Sequence, residues 1–422
     1  MTRAIALIDG EHYAQVVRDA LGELPYDFVA AHLVGGTEKL LGGDDYGVPL
    51  VDDLESAIRD LEPETILDLS DEPVLGPRER FRLASLALAH GVPYVGPDFR
   101  FNPPVLEPFE LPSIGIVGMG KRVGKTALAG HAARLLSRDR RLLVVAMGRG
   151  GPPEPELAAA GTSLQRLLEL SRDGRHAASD YLEDAALAGV DTIGCRRAGG
   201  GFAGAVGTSN VAEGARLAAE RGADLVIFEG SGAALPPVAT GRRVLVASAA
   251  TDLGLLTGYL NAYRILISDL VVLTNAEDGP PEAARQAIAS VKDVPVVATV
   301  MRPRPVSLVA GRRVALFTTA PTSAHEQLAA HLQVEHRADV VHVSGNLARR
   351  DALREEIAQI EAEVYLSEIK AAAIDVVAEA AAARGAEFVF VDNDVRTLPG
   401  ESDLDSELRA LADAAVTQPV AG

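Results

Sequence analysis

The sequence predicts an α/β chain with mainly parallel sheets, and three observations carry that expectation. Short apolar runs alternate with helix-forming stretches along nearly all of the 422 residues. Apolar residues make up 48% and charged residues 23%, ordinary for a globular chain. Two proline-rich stretches then divide a length that exceeds one domain of ~100–200 residues. Pro103, Pro104, Pro108 and Pro112 crowd a dozen positions, and Arg302-Pro303-Arg304-Pro305 marks a second break. The expected domains are therefore 1–110, 111–305 and 306–422.

In the first segment 3–8, 28–34, 65–69 and 92–95 read as strands, with helices near 12–23, 52–61 and 77–90. That alternation gives a Rossmann-like parallel sheet. In the second segment strands are readable at 114–118, 142–147, 224–228, 243–248, 270–274 and 294–300, separated by alanine-rich helices and glycine-rich loops. The third, smaller α/β segment alternates strands 314–318, 340–343 and 388–391 with helices around 322–335, 348–361 and 368–384. Its last stretch, 398–422, is acidic and alanine-rich and reads as a peripheral helix or a loose tail.

Bulk composition excludes several classes. A net charge of −19 does not suit a protein that wraps a nucleic-acid backbone, which needs a basic stripe. A single cysteine, Cys195, allows no intrachain disulfide, and no apolar run reaches the ~18 residues that span a bilayer. The start of the chain lacks the long apolar region of a signal peptide, so the expectation is a cytoplasmic protein without membrane partners. Nine histidines are scattered without zinc spacing, leaving Mg²⁺ brought in with a nucleotide as the expected metal.

The segment Ser113 to Leu128, SIGIVGMGKRVGKTAL, joins an apolar strand to a helix through a glycine-rich turn ending in Gly124-Lys125-Thr126. Backbone N–H groups of such a turn wrap phosphates, the lysine reaches the terminal phosphates and the hydroxyl takes Mg²⁺. A strict G-x-x-x-x-G-K-[ST] pattern needs glycine at Met119, which Gly118 and Gly120 flank. The second segment is thus expected to be a phosphate-loop NTPase core, with Gly118, Gly120, Lys121, Gly124, Lys125 and Thr126 as nucleotide-binding candidates; an ordinary strand-to-helix connection is the competing reading.

Five further features could do chemistry. The strand DLVIFEGSG ends in Glu229, placed to hold Mg²⁺ beside Thr126 or, more simply, to cap a strand end. Asn275, ending VLTNAE, offers a donor and an acceptor to a base edge, or caps a turn. Arg149, in the loop after strand 142–147, faces the γ-phosphate in a phosphate-loop fold and joins Lys125 and Glu229 as a catalytic candidate, with Glu154 a possible helper. Arg196 and Arg197 sit in a second glycine-rich stretch, which is either an anion clamp or a disordered surface loop. His12 and Lys39 follow strands of the first segment and could bind an anion at that rim, although polar turns are common there. Lys370 reads as part of a solvated helix face, and Cys195 as structural.

Together GMGKRVGKT, DLVIFEGSG, VASAATDLG and VLTNAE resemble the phosphate-loop branch that contains dethiobiotin synthetase and related ATP-dependent ligases. Partitioning ATPases of that branch carry an extra lysine four places before Gly124; here that position is Gly120, with Lys121 one place later, which argues against a dimer-sandwich ATPase. IALIDGEHY, HLVGGTEKL, VEHRADVVHVSGNLARRDALREEI and FVFVDND go further and resemble the cyclic 2,3-diphosphoglycerate synthetase family in all three segments and their order. The resemblance implies an ATP- and Mg²⁺-dependent ligase that closes 2,3-diphosphoglycerate into its cyclic pyrophosphate with release of ADP and phosphate. It also implies substrate clamps at Arg149, Arg196 and Arg197, a rim at His12 and Lys39 closing over the other side, and a homodimer. A kinase or carboxylate ligase on the same core, or a regulatory nucleotide switch, would share the nucleotide residues.

Overall fold

The structure, a computed structural model, describes residues 1–42, 44–277 and 279–417. Its N-terminal unit is a six-stranded sheet in the order Leu50–Val51, Tyr26–Leu33, Thr2–Ile8, Thr65–Asp68, Tyr94–Val95, Arg100–Phe101, parallel except for the last pair. Ala4 to Ile8 are buried without alternation, as a parallel strand covered on both faces requires. The strand order reverses direction between Thr2–Ile8 and Thr65–Asp68, which opens a crevice at their carboxyl ends. This unit rests on the core through an aromatic contact: Phe81 lies 5.5 Å from both Phe101 and Tyr259 and 6.5 Å from Phe202.

The remaining strands form one 13-stranded sheet. Ser113–Gly118 is central, flanked in parallel by Leu225–Glu229 and Arg242–Ser248. Leu142–Gly148 and Thr192–Ala198 continue one side, Leu270–Thr274 and Val296–Pro305 the other. The proline stretch at 302–305 does not interrupt the chain's strand. Val296–Pro305 runs straight through it and pairs antiparallel with Glu387–Thr397. Leu398 and Val306 donate backbone N–H bonds across this pair, to Ala298 and from Val306 to Phe390, so even-numbered positions face the partner strand. Pro303 and Pro305 therefore turn their nitrogens to the other edge, where pairing with Leu270–Thr274 has already ended at Ala298.

Beyond that junction the third segment adds Val364–Ser367, Arg313–Phe317 and Asp339–Ser344, all parallel. Val364–Ser367 is a four-residue buried strand that the sequence hid inside an expected helix-to-helix connection. The helix expected from 368 begins at Ala373, and Lys370 sits in the turn before it. The terminal stretch is neither peripheral nor loose up to Thr417. Helix Leu404–Thr417 buries Leu404, Leu408, Ala412 and Ala415, and its Asp405 meets His131 of the phosphate-loop helix at 2.7 Å. Residues 418–422 of the expected tail lie outside the described residues. No helix among the described residues is long and apolar enough to cross a membrane.

Candidate functional site

Ser113–Gly118 leads through the glycine turn into helix Lys125–Leu136. Gly124 has φ +82°, which favours glycine, and a Cβ there would lie 2.1 Å from Met301. Gly118 is packed so that a Cβ would come 2.8 Å from the Gly232 carbonyl, bringing the two strand-end turns together. Thr274 Oγ donates to the Val123 carbonyl at 2.9 Å and pins the loop to the next strand but one.

Glu229 ends the strand beside this loop, opposite Ile116 in the register. It is buried, accepts from Thr126 Oγ at 2.8 Å and meets Lys125 Nζ at 3.1 Å, both through Oε1. Its Oε2 is buried with no partner. Burial opposes the Lys125 charge, but Glu229 and then Asp180 outweigh it and hold the ammonium above its usual range. Burial pushes Glu229 up, against the pull of Lys125.

Sequence reasoning missed the acids that close this pocket. Helix Asp180–Glu183 packs on strands Leu142–Gly148 and Thr192–Ala198, and the π-helical turn Asp184–Ala188 packs against the phosphate-loop helix; together they bring Asp180 and Asp184 near Lys125 and set Glu183 between them. Asp184 and Glu183 each keep a buried oxygen without a partner. Burial raises both, Glu183 to about 8. The signal was present in Asp180-Tyr181-Leu182-Glu183-Asp184-Ala185-Ala186-Leu187, where acids interrupt an otherwise apolar helix without basic partners.

A cavity of about 1190 Å³ opens in front of these groups. It is lined by Lys121, Arg122, Lys125, Thr126, Arg149 and Asn275 from the core. Asn275 has φ +51° and donates from Nδ2 to Ser248 Oγ at 3.2 Å. Arg197 donates to the Ser231 carbonyl at 2.8 Å and lies close enough to Arg149 for the two cations to repel. Arg196, its neighbour on the strand, points to the opposite face and is exposed, and neither of the two arginines is part of the cavity lining. The glycine-rich stretch after Arg197 is ordered: Arg264, 2% exposed, donates to the carbonyls of Phe202 and Ala233. Glu154 is exposed and outside the lining, and Cys195 is buried with its thiol pushed up to about 12.

The other wall of the same cavity comes from the third segment: Thr318, His325, Arg349, Glu368 and Lys370 all line it. Lys370 is thus not on a solvated helix face. It points at Glu183 across 3.9 Å, and Glu183 above all keeps its ammonium charged.

His12 and Lys39 are elsewhere. They lie at the rim of the N-terminal sheet, and no described residue of that unit lines the cavity. Asp9, fully buried, receives the Asp71 and Glu11 N–H groups at 2.8 and 3.0 Å and meets His12 Nδ1 at 2.8 Å. Burial would raise Asp9, but these bonds together hold it below the usual carboxylate range. His12 Nε2 lies 3.5 Å from Asp71, and Lys39 pairs with Glu38 at 3.5 Å. Asp9, His12 and Asp71 could together hold a metal ion, although their polar atoms already serve one another.

Comparison with known proteins gives three consecutive family-model matches. They are the cyclic 2,3-diphosphoglycerate synthetase N-terminal domain over residues 3–102, its P-loop domain over 113–302 and its C-terminal domain over 305–394. Curated proteins named cyclic 2,3-diphosphoglycerate synthetase are similar over nearly their full length. The one from Rubrobacter xylanophilus is 50% identical, covering 98% of each chain. That of Thermococcus gammatolerans is 42% identical over 96% of each, and that of Methanothermus fervidus 38% identical over 93% of this chain and 92% of its own.

Proposed function

The chain belongs to the cyclic 2,3-diphosphoglycerate synthetase family, and from that premise we propose how its cavity performs an ATP-dependent ring closure. The protein is an ATP-dependent synthetase with a nucleotide-binding phosphate-loop domain acting on a small molecule. The reaction joins the two phosphates of 2,3-diphosphoglycerate into a cyclic pyrophosphate. An oxygen of one substrate phosphate attacks the γ-phosphorus of ATP, the bond to the β-phosphate breaks and ADP leaves. An oxygen of the second substrate phosphate then attacks the inner phosphorus, closing the ring and expelling inorganic phosphate.

In this reading Gly118, Gly120, Lys121, Gly124 and Lys125 cradle the ATP phosphates, and Asn275 meets the base. Lys125, kept charged by Glu229, faces the charge spread over the transferring group. Arg149 and Arg197 hold the substrate phosphates near each other against their mutual repulsion, which is the positioning term of the reaction. The donor set fits Mg²⁺: the Thr126 hydroxyl and the unpartnered Glu229 Oε2 are hard oxygen ligands at the lysine. Bound there, Mg²⁺ would neutralise phosphate charge. A cytoplasmic homodimer is part of the same proposal, checked by its mass in solution.

The observation that carries the reading is the Lys125–Glu229–Thr126 constellation opening onto a cavity with unpaired cations. Incubation with ATP, Mg²⁺ and 2,3-diphosphoglycerate, followed by phosphorus NMR, should show a cyclic pyrophosphate. A correctly folded protein that releases no such product would refute it.

A further inference from the structure

The third segment has a ligand crevice of its own. Arg313–Phe317 lies between Asp339–Ser344 and Val364–Ser367, so the chain leaves it to one side and returns on the other. In parallel sheets such a reversal opens a crevice at the strand's carboxyl end. That end is Phe317-Thr318, and the turns around it, bearing Thr318, Arg349 and Lys370, line the same cavity as the phosphate loop.

The charges of this wall are unevenly committed. Its carboxylates are engaged. Glu368 accepts from Thr318, Thr319 and Asn393 at 3.2–3.4 Å, and Glu356 from Ser344 and Asn346 while meeting His342. Its cations make no side-chain hydrogen bond with any described residue. Lys370 has Glu183 at 3.9 Å, beyond hydrogen-bond reach, so its three N–H donors are unused. Arg349 makes no side-chain hydrogen bond or ion pair with any described residue, and a ring nitrogen of His325 is buried beside Gly345 without a partner.

Backbone strain gathers at the same place. Of the six non-glycine residues with positive φ among the described residues, Arg122, Asn275 and Ala371 line the cavity, and Ala371, at +46°, directly follows Lys370. Such conformations cost about 1–3 kcal/mol each and persist where the surroundings impose them. Lys370 and Lys125 also share Asp180 and Glu229 as charged neighbours, which puts the crevice within electrostatic reach of the phosphate loop.

We propose that this crevice is the substrate subsite: Lys370 and Arg349 bind phosphate groups of the small bisphosphorylated acid and present them to ATP on the phosphate loop. The inference rests on the synthetase reading and relocates the substrate from the N-terminal rim to the C-terminal wall. Arg149 then faces the same anion from the core side.

Calorimetric titration of the full chain with 2,3-diphosphoglycerate, and separately with a non-hydrolysable ATP analogue, tests it. Lys370→Ala and Arg349→Ala should each weaken diphosphoglycerate binding at least tenfold and leave the analogue within twofold, with Lys370→Arg recovering part of the loss. Because Lys370→Ala leaves Glu183 buried without its cation, exposed Arg349 supplies the variant that keeps its fold. Unchanged diphosphoglycerate binding in Arg349→Ala and in folded Lys370→Ala, or no binding by the wild type, overturns the subsite. Lost binding in the variants beside a wild type that makes no cyclic product would sink the synthetase reading instead and leave the subsite standing.

Discussion

Two crevices of this protein occupy the same kind of place and behave differently. The rim of the N-terminal sheet and the cavity between the phosphate loop and the third segment both lie at carboxyl ends of parallel strands where the order reverses. At the rim these charges have partners: Asp9 with His12 and two backbone amides, Asp68 with Arg80 and Tyr94, each at 2.7 Å, and Lys39 with Glu38. Behind the cavity wall Glu229, Glu183 and Asp184 keep buried oxygens unpaired, and on the wall itself Lys370 and Arg149 keep unused donors. An unpaired buried polar group costs about 1–3 kcal/mol. Topology offers two sites, then, and the unmet polar groups single out the one that awaits a ligand.

The largest expected effect is at the phosphate loop. Lys125→Ala should lower kcat/KM for ring closure by about 10³-fold, read by ADP release, with weaker binding of an ATP analogue. A tenfold loss or less would make the cavity resemble the rim. Glu229→Gln comes next: about 10²-fold lower activity, together with a higher Mg²⁺ concentration for half-maximal binding of the analogue, measured by titration.

Arg149→Ala and Arg197→Ala should each raise KM for the diphosphate about tenfold with a smaller change in kcat, as for charge-assisted bonds to a phosphate. An unchanged KM would remove the core-side clamp. The pH dependence of stability probes the acid pocket without substrate. Folded Glu183 holds its proton to about pH 8, against an ordinary value of 4.5. Between those values the native state binds the extra proton, so unfolding free energy falls as pH rises, by at most about 1.4 kcal/mol per unit. Glu183→Gln should flatten that slope in denaturant titrations at pH 5 to 8; an unaltered slope would show that Glu183 titrates normally. The smallest catalytic effect belongs to the rim. Asp9→Ala should cost about 1–3 kcal/mol of stability, because it strands two amides and an imidazole, while KM for the diphosphate changes less than threefold. A larger KM change would return substrate binding to the N-terminal unit.

How much of this the sequence disclosed follows from how local each signal is. The phosphate loop and Glu229 were legible because strand, glycine turn and helix are contiguous and an acid ending an apolar strand has few other uses. Asp180, Glu183 and Asp184 were not, since their importance depends on a π-helical turn packing against the phosphate-loop helix from over 50 residues away. Lys370 looked like a surface residue because Val364–Ser367, four residues long, gives too little pattern to separate a strand from a helix. Arg196 and Arg197 looked equivalent in a presumed loop; a strand puts them on opposite faces. The prolines at 303 and 305 suggested an ending. On a strand they sit two apart, so both nitrogens fall on the edge that needs no donor.

The pairing of Val296–Pro305 with Glu387–Thr397 also bears on how the protein could be dissected. A chain stopped at Pro305 would keep the whole phosphate loop yet present the final residues of its last strand as an open edge, inviting another molecule to add a strand there. It would also lack helix Leu404–Thr417, uncovering the apolar surface that this helix shields. The nucleotide-binding unit is therefore continuous in sequence but not self-sufficient as an expression fragment: its solubility is written a hundred residues downstream.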